Sequence, residues 1–212
     1  MADLSEIAKS LVDRDISKTE ELIKAALEAN IPAKEILNND MLAAMQVVGE
    51  QFEIGEIFLP ELLMAGEAAK AAMKLLKPAL EKQEGVKSYT GRAAIGTVRG
   101  DVHDIGKNIV IMMLESNGWE VTDLGTDVAP EDFCSAVKDN DFQVLGLSAL
   151  ITGTMPNQKH TIEALAAAGL KNKIKVAIGG SVCTQSWADQ IGADCYGADA
   201  AEAVKIFRLL IE

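Results

Sequence analysis

The first 84 residues carry apolar positions at helical spacing and no convincing strand pattern. Apolar side chains recur three or four residues apart, at Leu22, Ala26 and Ala29 and again at Leu62, Ala65, Ala69 and Met73. That spacing lines one face of a helix. It predicts helices over about 3–13, from Ser17 to Asn30, from just after Pro32 towards Phe52, and from Leu59-Pro60 to about Glu81. Ser17 and Glu20 have the spacing of a capping box, and Pro32 suits a first helical turn. Four helices joined by short connections suggest an antiparallel four-helix bundle over 1–84. The stretch 85–91 is polar and bounded by Gly85 and Gly91. It reads as a linker.

From residue 92 the period changes. Short apolar runs at Ala93–Val98, Glu120–Leu124, Val144–Ser148, Lys175–Ile178 and Asp194–Tyr196 read as strands. Helical patterns over 104–117, 130–139, 157–168, 184–191 and 199–211 follow them in turn. Such alternation implies an α/β domain over 92–212, a Rossmann-like (flavodoxin-like) five-stranded parallel sheet covered on both faces. Ligands of such sheets sit beyond the carboxyl ends of the strands, near the switch in strand order. Candidate chemistry therefore belongs in the loops that follow strands.

Composition narrows the function. Net charge is −12 and aromatic residues make up 4%, without the basic patch or stacking aromatics of a nucleic-acid binder. No apolar run is long enough to span a bilayer, and the N-terminus lacks the pattern of a secretory signal. Neither nucleic acid nor membrane is an expected partner, and the expected location is cytoplasmic. Cys134, Cys183 and Cys195 form no CxxC pair, so neither a disulfide framework nor a zinc site is suggested. Cys183 lies near the expected pocket and receives no role.

The loop after the first strand is Arg99-Gly100-Asp101-Val102-His103-Asp104-Ile105-Gly106. A neutral imidazole is a good transition-metal ligand. A carboxylate two residues earlier, Asp101, suits the ring's other nitrogen, where it fixes the tautomer and raises ligand basicity. Gly100 and Gly106 allow close approach of a bulky ligand. Taken alone, the loop has a plainer account: a histidine packed in a turn, with Asp101 and Asp104 capping a helix. One histidine makes no protein-only metal site, but it suffices for a cofactor that brings its other ligands. After the third strand stand Ser148, Leu150, Thr152 and Thr154, and after the fourth Gly179, Gly180 and Ser181. Each of these signals is weak by itself.

Together, Asp101-x-His103-x-x-Gly106, Ser148-x-Leu150 and Gly179-Gly180, separated by 41 residues (107–147) and 28 residues (151–178), resemble the signature of His-on cobalamin-binding proteins. The resemblance covers essentially the whole chain, including Phe58-Leu59-Pro60-Glu61-Leu62 in the helical part. The whole resembles the cobalamin-binding region of methionine synthase, and it looks closer still to the free-standing corrinoid proteins of methanol, methylamine and methyl-ether (O-demethylase) methyltransferase systems. It implies a base-off cobalamin (corrinoid, cobalt) with His103 as lower axial ligand, held by Asp101 and, through it, by Thr154, where the family pattern has Ser. It implies contacts to the cofactor from the Gly100–Gly106 loop, including Val102, Asp104 and Ile105. Ser148, Leu150, Thr152, Gly179, Gly180 and Ser181 would accommodate the nucleotide tail, and Phe52 and Leu59 would shield the upper face. Those two also read as plain bundle core.

The function so implied is a methyl carrier, not catalytic alone. Cobalt(I) accepts a methyl group through a substrate-specific methyltransferase, and methyl-cobalt(III) passes it to tetrahydrofolate or a thiol through an acceptor-side methyltransferase. A reductive activator completes the set of partners. The preferred donor system is a methyl ether (O-demethylase), with methylamine, methanol or betaine as alternatives, and cobalamin storage as an alternative of another class. An isomerase subunit usually lacks the helical cap. A receiver domain needs an Asp where Ser148 stands. A flavodoxin needs a phosphate loop where the acidic Arg99–Gly106 stands. His160 is expected to be exposed within a helix. Lys107 is either a contact to the tail or a solvated first-turn lysine.

Overall fold

The computed structural model describes residues 5–81 and 89–211. The chain divides into two compact units, Met1–Thr90 with Glu115–Gly118, and Gly91–Leu114 with Trp119–Glu212. Residues 85–88 of the expected linker lie outside the described residues.

The first unit is helical. Helix α1 spans Glu6–Val12 and is capped by the Ser5 hydroxyl, which accepts from the Ala8 amide at 3.0 Å. Helix α2 spans Ile16–Glu28. Its cap is Asp15, whose carboxylate accepts from Lys18 N at 3.0 Å, so Ser17 lies inside the helix and the expected capping box does not form. Asp is as good a cap as Ser, and it starts the helix earlier. Its buried stripe runs through Ile23 and Ala26, while Leu22 is half-buried and Ala29 exposed. The helix expected after Pro32 is broken in pitch: α3 (Ala33–Glu35) passes into a π-helical segment, Ile36–Met41, and then α4 (Leu42–Glu53). Asn38, Asn39 and Asp40, weak helix formers, fall in this segment. The wider turn keeps Ile36, Leu37 and Met41 buried together. Helix α5 spans Leu59–Glu81 and buries Leu62, Ala65, Ala69, Ala72 and Leu76. Among the described residues, no helix is long and apolar enough to cross a membrane.

The second unit alternates β1 (Arg92–Thr97), α6 (Ile105–Ser116), β2 (Glu120–Asp123), α7 (Pro130–Asp139), β3 (Val144–Ser148), α8 (Pro156–Ala167), β4 (Lys175–Gly179), α9 (Gln185–Ile191), β5 (Cys195–Gly197) and α10 (Ala200–Leu209). All pairings are parallel, in the order β2-β1-β3-β4-β5. Central strands buried on both faces read as continuous apolar runs; Ala94, Leu145, Leu147, Val176 and Ile178 are buried with Phe133 and Leu165 against them. The strand order reverses between β1 and β3. The carboxyl ends of those strands, Thr97 and Ser148, are neighbours in register, so the loops that follow them diverge around one crevice.

Candidate cofactor site

The chain leaves β1 through Val98, whose amide donates to Ser148 O at 3.0 Å, and turns at Gly100 with a φ of 81°. That turn carries Asp101 inward and His103 outward. The Asp101 side chain is fully buried, whereas 48% of the His103 side chain is exposed. Asp101 Oδ1 lies 2.7 Å from His103 Nδ1 and accepts from the His103 amide at 3.1 Å. Its Oδ2 accepts from the Thr154 hydroxyl at 2.6 Å and from Leu150 N at 2.8 Å. Burial alone raises the Asp101 pKa. The hydrogen bonds from Thr154, Leu150 and His103 outweigh it and hold the carboxyl well below the usual carboxylate range. The acceptor-only carboxylate makes Nδ1 the protonated nitrogen of a neutral His103 ring, which leaves the Nε2 lone pair on the exposed side.

The loops that carry His103 and Leu150 also expose large apolar side chains. Val102 is 70% exposed and Ile105 74%, and Leu150 and Ile151 are exposed on the neighbouring loop. Large apolar side chains gathered at a strand-end crevice mark a binding surface. Among the described residues, no group of three or more His, Cys, Asp or Glu side chains could hold a metal ion. A single imidazole nitrogen, fixed through Nδ1 by Asp101, fits a metal that would bring its other ligands with it.

The crevice itself is built on glycine. A Cβ on Gly106, in the first turn of α6, would meet nothing within 4 Å. A Cβ on Gly180 (φ 120°) would stand 1.8 Å from Ala149 O, so β3 and β4 approach there as only glycine permits. Ser148 is half-buried beside Gly179, Thr152 is exposed, and the Ser181 hydroxyl donates to Leu150 O at 3.0 Å. Asp104 turns away from the imidazole and accepts from Asn108 Nδ2 at 3.2 Å. Of the residues predicted from sequence, the structure thus brings Gly100–Gly106, Ser148, Leu150, Thr152, Thr154, Gly179, Gly180 and Ser181 to one end of the sheet. Phe52, half-buried at the end of α4, and Leu59, exposed at the start of α5, belong to the helical unit.

Lys107 is not solvated. Its side chain is 1% exposed and its Nζ donates to Asp123 Oδ1 at 2.5 Å and Asn108 Oδ1 at 2.9 Å. His160 is exposed, 3.0 Å from Asn157 Oδ1. Cys183 is buried and donates to Gly179 O at 3.1 Å; burial pushes its thiol pKa up. Three residues were missed. Gln158, wholly buried, donates to Leu147 O and Gly179 O and accepts from Trp187 Nε1, tying the ends of β3 and β4 together. Asn157 Nδ2 donates to Arg99 O at 2.7 Å. Asp127 accepts from Gly100 N at 2.6 Å. Gln158 shares the inward face of α8 with Thr161, Ile162 and Leu165, a polar residue at an apolar period. Asp127 stands in the loop after β2, whose only sequence mark is Gly125-Thr126-Asp127.

Comparison with known proteins accounts for both units. A B12 binding domain family matches residues 91–205, and a second B12 binding domain family matches residues 4–77. The chain is 44% identical over 207 residues to dimethylamine corrinoid protein 3 of Methanosarcina acetivorans, covering 96% of each. Its fold is similar to that of a cobalamin-binding protein from Desulfitobacterium hafniense, with a TM-score of 0.85 and 36% identity over 100% of both chains. It is also similar to a chain of the methanol:cobalamin methyltransferase complex of Methanosarcina barkeri. That TM-score is 0.82 and the identity 33%, covering 97% of this chain and 78% of the other.

Proposed function

We propose, since this chain belongs to the B12-binding corrinoid proteins of methyltransferase systems, that it carries methyl groups drawn from a methylamine. Its cofactor is cobalamin. When bound, its cobalt centre would supply the methyl-transfer chemistry. The chain's residues hold and shape that centre.

In this reading His103 Nε2 would be the ligand that the protein gives to the cobalt. The supporting observation is the 2.7 Å contact of Asp101 with His103 Nδ1, which spends one ring nitrogen and presents the other. Thr154 and Leu150 N keep Asp101 ionised, so it can share or return the Nδ1 proton without leaving its place. Val102, Ile105, Leu150 and Ile151 offer the corrin an apolar bed and exclude water beneath it. Gly106, Ser148, Thr152, Gly179, Gly180 and Ser181 line the path of the nucleotide tail. Phe52 and Leu59 are assigned to the upper face by the family resemblance, with 1–84 as cap and 92–212 as cobalamin-binding domain.

The donor is assigned by similarity. The dimethylamine relative is 44% identical and the methanol-complex chain 33%. This favours the methylamine alternative over the methyl-ether system preferred from sequence. The donor-side partner is then a methylamine-specific methyltransferase. An acceptor-side methyltransferase and a reductive activator complete the cycle, in the cytoplasm. The axial assignment is tested by loading His103→Ala with cobalamin and recording the cobalt(II) electron paramagnetic resonance. Loss of the protein nitrogen's hyperfine coupling is expected; the same coupling as in the unmodified protein would refute the assignment. The donor is tested by turnover with purified methyltransferases: dimethylamine should be consumed, and consumption of a methoxylated aromatic instead would restore the methyl-ether reading.

A further inference from the structure

We propose that Asp127 is a positioning residue that holds the Asp101–His103 pair in register, an inference that rests on the role assigned to His103 above. Past β2 the chain runs alongside the exit of β1: Thr97 N donates to Gly125 O, and Val128 N donates to Thr97 O, each at 3.0 Å. Between these bonds Asp127 takes a left-handed conformation, with a φ of 54°. A non-glycine residue holds that conformation only where its surroundings demand it, and Asp tolerates it better than most.

The conformation serves two hydrogen bonds to one dipeptide. Asp127 N donates to Asp101 O at 2.9 Å, and Asp127 Oδ1 accepts from Gly100 N at 2.6 Å. The second is a short, charge-assisted bond. The backbone of Gly100–Asp101 is thus gripped by Asp127 while the Asp101 side chain reaches Thr154, Leu150 and His103. Asp127 is exposed, so a change there removes no core packing. It acts only through Asp101. Without the grip, Asp101 Oδ1 and His103 Nδ1 lose their fixed alignment, and the ring populates the tautomer with the proton on Nε2, which takes the lone pair away from the nitrogen assigned to the metal.

The experiment reads that tautomer directly in the full-length apoprotein. The chain has two histidines, so nitrogen-15 spectra in alkaline buffer resolve His103, with His160 as internal control. Wild-type His103 is expected to be protonated on Nδ1. Asp127→Gly relieves the positive φ but deletes the carboxylate, and is expected to raise the Nε2–H tautomer of His103 several-fold without moving His160. Asp127→Asn keeps an acceptor and tolerates the φ, and is expected to restore the wild-type spectrum. Asp127→Ala repeats the deletion with the φ penalty retained, so either folded deletion variant is decisive. An unchanged His103 tautomer in a folded Asp127→Gly or Asp127→Ala chain would overturn the proposal. So would an Asp127→Asn chain as perturbed as the deletions. The spectra contain no cobalt. Failure of axial ligation would show only in the His103→Ala resonance experiment, and failure of the Asp127 role only here.

Discussion

Asp101 is the most constrained side chain of the site. It is ionised and buried, and the cost of that burial is offset by donors from three residues. Asp101→Ala removes the acceptor of the Leu150 amide and of both His103 N–H groups, and leaves the Thr154 hydroxyl with Ile151 O alone. It should destabilise the apoprotein by about 3 kcal/mol, the cost of leaving buried partners of a charged group unmade. Both tryptophans, Trp119 and Trp187, lie in the sheet unit, so urea unfolding followed by their fluorescence measures this loss. Cys195 gives the residue-level pH dependence. Burial, then Asp194 and Glu202, push its thiol pKa up to about 12. The folded chain therefore holds the proton more tightly than the unfolded one. This contribution is complete below the unfolded thiol's value of about 8.5. It drains away as pH climbs towards about 12. Cys195→Ala should flatten that alkaline decline of stability, measured by the same fluorescence; a decline as steep as wild type would show the thiol is not responsible.

At the level of elements, the glycines of the strand-end loops divide by what surrounds them, and substitution separates fold from binding. Gly106 opens on empty space. In the first turn of α6, alanine should stabilise the apoprotein by up to about 1 kcal/mol. On the proposed reading the same methyl group intrudes on the cofactor's path, and a tenfold or greater loss of cobalamin affinity, about 1.4 kcal/mol, is expected by equilibrium titration. Gly180→Ala drives a Cβ into Ala149 O and should cost the apoprotein more than about 3 kcal/mol. Stability lost at Gly106, or kept at Gly180, would contradict this division. Strand–helix alternation and the loops after β1, β3 and β4 were legible because sheet period and motif spacing are local in sequence. The π-helical turn at Ile36–Met41 and the Asp15 cap were not. Both are choices between near-equal backbone arrangements that packing decides. Asp127 and Gln158 escaped for a different reason: their partners, Gly100 and Gly179, stand 27 and 21 residues away, and no periodicity reports such a bond.

For the whole molecule, the residues assigned above divide between the two units. Every group assigned to the lower axial position and the nucleotide tail, from Gly100 to Ser181, lies within Gly91–Leu114 and Trp119–Glu212. Only Phe52 and Leu59 lie in the helical unit. The axial ligation proposed above draws on His103, Asp101, Thr154 and Leu150, which belong to one unit whose core of Leu145, Val176 and Phe133 is its own. A fragment of residues 89–212 should therefore fold, bind cobalamin and show the same nitrogen coupling at cobalt(II) as the full chain. Because a ligand stabilises the folded state in proportion to the logarithm of its concentration over Kd, cobalamin should raise the fragment's melting temperature as it does that of the full chain. Methyl transfer from the methylamine-specific enzyme should fall in the fragment, since Phe52 and Leu59 are gone. A fragment that folds but binds cobalamin without nitrogen coupling would move part of the axial site into the helical unit. A fragment that turns over dimethylamine at the full rate would deprive Phe52 and Leu59 of their assigned role.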